Sequence, residues 1–235
     1  MLKVSRMPLG EPEVFRSIQG EGVSAGTPSV FLRLATCNLT CTWCDTTYTW
    51  DWKHYDIKRE AVDVSSEDVE RRVTSFACPR LVITGGEPLL QQDELTPLAT
   101  SLNGKGFFIE VETNGTVAPS RTMTSAVAQW NVSPKLANSG NRPKRREVPE
   151  VLQVFARLPH AYWKFVVVEP GDVDEACGLA ERYGVPTDRV VLMPEGTTRG
   201  VLRERGEWLA RACAERGLRY SPRLHVELWG ARRGR

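Results

Sequence analysis

Long apolar runs are missing from this chain. The longest, around Phe165-Val166-Val167-Val168, is strand-sized and far too short to cross a bilayer. The opening residues Met1-Leu2-Lys3-Val4-Ser5-Arg6 have no apolar core and no cleavage pattern. No secretory leader is therefore read there, and the expected compartment is the cytoplasm. An excess of one charge is also missing: 31 basic against 29 acidic residues leave a net +2. That excludes an acidic disordered tail and argues against a nucleic-acid coat driven by net charge. There is no Gly-Lys-Ser/Thr phosphate loop and no G-x-G-x-x-G dinucleotide fingerprint. Histidine is scarce. The three present, His54, His160 and His225, are not at zinc-finger spacing.

What is present is an ordinary globular composition, 41% apolar and 26% charged, over 235 residues. A chain of that length buries roughly 70–75% of its unfolded surface and needs no covalent staples. Residues 1–235 read as one domain. Short β-rich runs occur at Ser29–Leu34, Leu81–Thr84, Phe107–Val111, Trp130–Val132, Tyr162–Val168, Val190–Met193 and Leu224–Leu228. Between them lie stretches with helical spacing: Glu67–Phe76, Gln92–Leu102, a helix opened by Asp172 with Glu175 as a capping box and stopped at Gly184, and Arg203–Arg216 ended by Gly217. Alternating strands and helices imply parallel pairing through right-handed crossovers. About six such units predict an α/β fold with a partial (β/α)6-type barrel, its reactive residues on loops at the strands' C-terminal ends. Asn141-Arg142-Pro143-Lys144-Arg145-Arg146 reads as an exposed basic loop. The segment Thr47–Trp52 is aromatic and reads as packing rather than as a lid.

The six cysteines fall into two sets. Cys78, Cys177 and Cys213 are scattered singly and read as small buried side chains. Cys37, Cys41 and Cys44 are crowded just after a strand. Asn38, Thr40, Thr42, Asp45 and Thr46 make that stretch a poor helix, so it is expected to be a loop wrapped around something. A structural zinc closes with four ligands, and no fourth is near. A Cys41/Cys44 redox pair would leave Cys37 without a role. Three thiolates suit a four-iron, four-sulfur (4Fe–4S) cluster whose remaining iron stays open to a ligand, since such clusters ordinarily take four cysteines. Some forty residues on, Thr84-Gly85-Gly86-Glu87-Pro88 follows a strand and precedes a helix, with two glycines that allow a tight turn and close backbone approach.

Cys-x3-Cys-x2-Cys with Trp43 before the last cysteine, followed by the Gly-Gly-Glu-Pro turn, resembles the radical S-adenosylmethionine (SAM) superfamily. Phe15–Gly22, Phe31–Leu34, Cys44-Asp45-Thr46, Glu112-Thr113-Asn114-Gly115 and Ser133-Pro134-Lys135 narrow the likeness to the 7-carboxy-7-deazaguanine synthase family, over about Glu13 to Trp229. The resemblance implies a radical SAM core and conversion of 6-carboxy-5,6,7,8-tetrahydropterin to 7-carboxy-7-deazaguanine and ammonia, on the way to queuosine-type 7-deazapurines. In that scheme a 5′-deoxyadenosyl radical takes the hydrogen at C6 and the ring contracts. It implies Cys37, Cys41 and Cys44 as cluster ligands and Thr46 as a Mg²⁺ ligand. Trp43, Asp45, Gly86, Ser133, Pro134 and Lys135 would hold SAM. Ile18, Gln19, Gly20, Glu21, Arg33 and Thr84 would hold the pterin. A small electron donor such as flavodoxin or ferredoxin, and a homodimer, belong to the same implication.

The side-chain chemistry agrees with those roles. Gln19 offers donor and acceptor to an amide-like ring edge, and Glu21 accepts from amino or ring N–H groups. Arg33 presents a fork to a carboxylate. Glu112, at a strand end, either orients the cofactor's ribose or takes a substrate proton. Met193–Gly196 is expected to form a further wall. The Arg-rich end, about residues 230–235, is expected to be loose, and no contact is assigned to it. Two other readings stand beside this one. A glycyl-radical-enzyme activase shares the cysteine spacing but not Gln19, Glu21 and Arg33. A zinc-stabilised nucleic-acid-binding module would use Arg142–Arg146.

Overall fold

A computed structural model describes all 235 residues. Its strands are β1 (Leu2–Ser5), β2 (Val14–Ile18), β3 (Pro28–Leu34), β4 (Ala61–Val64), β5 (Arg80–Gly85), β6 (Phe108–Thr113), β7 (Gln129–Val132), β8 (Ala161–Val167), β9 (Val190–Pro194) and β10 (Arg219–Tyr220). The helices are α1 (Ile57–Glu60), α2 (Ser66–Ser75), α3 (Gln92–Gly104), α4 (Arg121–Ala126), α5 (Pro143–Arg146), α6 (Pro149–Arg157), α7 (Pro170–Arg182), α8 (Arg199–Arg216) and α9 (Leu224–Trp229). One sheet runs in the order β10-β9-β8-β7-β6-β5-β3-β1-β4, with β2 paired to β3. From β3 to β10 neighbours are parallel, whereas β1, β2 and β4 join antiparallel. The six consecutive parallel strands β3, β5, β6, β7, β8 and β9 are the expected units, and the sheet does not close on itself.

Successive side chains of a strand point to opposite faces, and here the two faces differ in chemistry. Ile83, Val111, Trp130, Trp163, Phe165 and Leu192 join the large apolar core with the helices, for example Leu95, Leu98 and Leu102 of α3. The alternate positions carry Arg33, Thr84, Glu110, Glu112, Asn131 and Lys164. Glu110 and Glu112 sit in an apolar–acidic alternation, Ile109-Glu110-Val111-Glu112, which is the sequence signal for their shared face. Apolar side chains return to that face in a small cluster of Phe15, Phe31 and Val82 and at Val166, Val191 and Met193.

Three local expectations are corrected. The run Leu224–Leu228 alternates like a strand but forms α9, because Pro222 ends the preceding strand and only Val226 is buried while Leu228 is 47% exposed. The cap of α7 lies one turn earlier than expected: Pro170 opens the helix, and Asp172 accepts from the Glu169 N–H at 3.0 Å. Glu175 instead receives the Ala137 N–H and pairs with Arg146 at 2.8 Å. The Asn141–Arg146 segment is not a plain loop, since Pro143–Arg146 is a helical turn. Cys78 and Cys213 are buried as expected, and Cys177 is half-buried.

Candidate active site

The cysteine loop leaves the C-terminal end of β3, and Gly85 and Gly86 hold it against the end of β5. A β-carbon on Gly85 would strike the Leu34 backbone, and one on Gly86 the Thr36 carbonyl. Gly85 has φ +131°, a region other residues avoid. Glu87, fully buried, accepts from Thr113 Oγ1 at 2.8 Å and from the Asn114 N–H at 2.6 Å, tying this turn to β6. The three thiols line one cleft, and each has N–H donors aimed at it. Cys41 Sγ accepts from Asn141 Nδ2 at 3.3 Å, Cys44 Sγ from Trp50 Nε1 at 3.3 Å, and Cys37 Sγ from the Leu39 N–H at 3.5 Å. Donors of this kind suit sulfur carrying negative charge. Burial pushes the Cys37 thiol up to about 11, so its thiolate needs a positive partner. No group of three or more His, Cys, Asp or Glu side chains is arranged to hold a single ion.

The facing wall is ionic. Lys164 Nζ reaches Glu21 Oε2 at 2.6 Å and Glu112 Oε2 at 3.2 Å. Arg223 binds Glu21 Oε1 at 3.0 Å through Nε, the Gly196 carbonyl at 2.6 Å through Nη1, and Asp45 through Nη2. Burial by itself would raise Glu21, but Lys164 and Arg223 outweigh it and hold the carboxyl well below its usual range. Glu112 goes the other way. Burial raises it more than Lys164 lowers it, and the charges of Glu21 and Glu110 add smaller upward pushes. The wall therefore presents one firmly ionised carboxylate beside one that binds a proton more readily. His225, at the same wall, is pushed down by burial, which favours neutral imidazole.

The chain matches the radical SAM superfamily model over residues 33–131. It is 37% identical to the 7-carboxy-7-deazaguanine synthase of Pyrobaculum aerophilum, covering 95% of this chain and 96% of that one. The Halobacterium salinarum protein of the same name is 38% identical, covering 92% and 89%. The crystal structure of QueE from Escherichia coli superposes with a TM-score of 0.68 at 27% identity, covering 95% of each chain. The chain belongs to the 7-carboxy-7-deazaguanine synthase family. Membership makes it a lyase with a 4Fe–4S cluster and SAM as its cofactors, and removes the activase and zinc-module readings. The donor set fits: three cysteines with amide and indole N–H donors serve separate irons of a cube, a demand different from four ligands meeting at one zinc.

Of the residues to which the sequence assigned a ligand or a catalytic role, all but one line the cleft. Trp43, Ser133 and Lys135 come together there. Lys135 Nζ is 2.7 Å from Ser133 Oγ and 5.5 Å from the centre of the Trp43 ring, whose Nε1 donates to Asn138. Gly86, Asp45, Thr46, Thr84 and Ile18 also border the cleft, as do Met193 and Glu195 of the expected further wall. Pro134 is the exception: it is buried outside the lining.

The structure revises three roles. Gln19 is only 2% exposed, and its amide is spent inside the protein. Both hydrogens go to Glu110 Oε1 at 2.7 Å and Glu112 Oε1 at 3.1 Å, and its oxygen accepts from the Glu21 N–H. It aims Glu112 and leaves no donor for a ring edge. Gly20 is required by packing, because a β-carbon there would meet the His225 imidazole. Trp50 is cleft wall, donating to Cys44, while its neighbour Tyr48 is buried packing. Arg33 borders the cleft, and its Nε pairs with fully buried Glu13 at 2.9 Å.

Sequence reasoning missed Lys164, Arg223, His225 and Glu13. Lys164 was legible as the one cation inside an apolar strand, and His225 was hidden by the mistaken strand. The C-terminal residues, expected to be loose, are docked. Arg233 lies over the Tyr48 ring at 3.4 Å and pairs with Glu60 at 2.9 Å, and Arg235 reaches the cleft.

Proposed function

We propose that this chain converts 6-carboxy-5,6,7,8-tetrahydropterin to 7-carboxy-7-deazaguanine and ammonia, with the cysteine side of the cleft holding the cofactors and the ionic side holding the pterin. The observation that carries this is the meeting, in one cleft, of three N–H-supplied thiols and a buried carboxylate–cation wall. Residues 1–235 act as one domain, a reading supported by the single sheet and its principal core.

Cys37, Cys41 and Cys44 hold the cluster. Trp43, Ser133, Lys135 and the Gly86 backbone hold SAM. Bound there, the two supply hydrogen-atom abstraction. The chain's own contribution is placement and charge. Glu21 keeps carboxylate oxygens for the pterin's N–H groups, because Lys164 and Arg223 stabilise its ionised form without using all of its acceptor sites. Arg33 offers its terminal nitrogens to the substrate carboxylate, braced by Glu13. Glu112, raised by its surroundings and aimed by Gln19, is the group suited to taking up a proton. Thr84 and Ile18 border the ring. Excluding water from this wall strengthens each of these interactions.

Thr46, which borders the cleft, would hold Mg²⁺ through its hydroxyl, as the resemblance implies, and the ion would supply a hard positive charge for the substrate carboxylate. Asp45 is engaged by Arg223. A one-electron donor protein such as flavodoxin or ferredoxin completes the system. A homodimer is the assembly, supported by the family resemblance and by the frequency of two-fold oligomers.

Anaerobic reconstitution with iron and sulfide, followed by incubation with SAM, a reductant and the carboxy-tetrahydropterin, tests the proposal. Chromatography should show the deazaguanine acid growing while SAM is conserved. SAM cleavage without that product would overturn the substrate assignment.

A further inference from the structure

The basic segment Asn141–Arg146, of which the active site uses only Asn141, lies directly on the cysteine loop. Arg145 donates to the carbonyl of Asn38, the residue after Cys37. Asn141 accepts the Thr40 N–H at 3.0 Å and donates to Cys41 Sγ at 3.3 Å. The Thr42 N–H binds the Ser139 carbonyl at 3.0 Å. Arg142, Lys144 and Arg145 are exposed, and none of them is within ion-pair distance of a carboxylate. Their neighbour Arg146 is the one that pairs, with Glu175. Arg145 thus touches the residue beside Cys37, Arg142 follows the residue that bonds Cys41, and Lys144 lies on the same helical turn: three uncompensated cations next to the cluster loop, in a chain of net charge only +2.

We infer that α5 and the exposed Thr40–Thr42 rim form the docking surface for an acidic, low-potential one-electron carrier protein, which gives up one electron to the cluster. The inference rests on the cluster assignment above. Unpaired like charges repel one another, and an acidic partner relieves that repulsion while being steered to the place from which the electron has least protein to cross. A general anion-attracting surface has no reason to be bonded to the cluster loop. That connection favours a redox partner over a nucleic acid.

The test uses the reconstituted full chain and the double variant Arg142→Glu/Lys144→Glu, which leaves the Arg145–Asn38 bond in place. Stopped-flow bleaching of the cluster follows reduction by an acidic flavodoxin hydroquinone, and separately by photoreduced 5-deazariboflavin, a small uncharged donor. At low ionic strength the variant should be slower with flavodoxin by about ten-fold or more, within the range of electrostatic steering. Added salt should slow the wild type and close the gap, and deazariboflavin should reduce both proteins equally. Equal rates with flavodoxin, or equal slowing with both donors, overturn the docking site. Loss of salt-sensitive RNA binding with unchanged flavodoxin rates would also overturn it, in favour of a nucleic-acid surface. A wild type that deazariboflavin cannot reduce sinks the cluster assignment itself, and the docking site with it.

Discussion

The two walls of the cleft are built by opposite strategies. The cysteine wall comes from eight consecutive residues, Cys37–Cys44, whose thiols meet neutral donors: the amide of Asn141, the indole of Trp50 and the backbone N–H of Leu39. The ionic wall comes from residues scattered between Glu13 and His225. Its main bonds join side chains 143 and 202 positions apart. A loop of polar, helix-averse residues can wrap a cluster and take its final shape from it. Buried charges have no such latitude, because each needs its partner in place before water leaves. The cysteine wall is thus completed by its cofactor, and the ionic wall by the fold.

Substitutions on the two sides should separate these strategies. The largest effect is expected from Cys44→Ala. It removes one corner of the cluster, so iron and sulfide content should collapse, the electron-spin signal of the reduced protein should vanish, and no product should form. Chemical denaturation of the cluster-free protein should hardly change. A retained reduced-cluster signal would contradict the ligand assignment. Next comes Lys164→Met, which leaves Glu21 and Glu112 without their shared cation. Stability should fall by about 3–5 kcal/mol, as for other broken buried pairs, and adding Glu112→Gln should restore part of it. A loss below about 1 kcal/mol would mean that the lysine is not buried among those carboxylates.

Glu21→Gln should be milder, about 1–3 kcal/mol at neutral pH, because Lys164 keeps Glu112 and Arg223 keeps Asp45. This effect carries a pH signature. The folded-state value of Glu21 lies below its ordinary 4.5, so its contribution is complete above 4.5 and is lost as pH falls towards the depressed value. The stability gap between wild type and variant should therefore be constant at neutral pH and shrink in acid. A gap that widened in acid would reverse the assigned direction. Acid titration of denaturation midpoints by tryptophan fluorescence measures it.

The parts that could be read in advance share a physical property. Strand–helix alternation, the glycine stop of α8 and the cysteine loop depend on neighbours a few positions away. The Gly85-Gly86 turn was legible as close backbone approach, but that it packs on the backbone of Leu34 and Thr36 while bordering the cleft was not. Gln19 was legible as a polar residue near the site, but its role depended on Glu110 and Glu112, far along the chain. The alternating Leu224–Leu228 run misled because a period of two signals a strand only where one face is covered, and here a single residue is.

The order of residues by itself determined the three-thiol loop, the parallel core and the family, since spacing and periodicity act through short stretches of backbone. Only the tertiary structure decided which charges meet. Coulomb attraction between buried groups depends on distance in space and on the exclusion of water. Neither exists until β6, β8 and the segment before α9 have packed around one cleft.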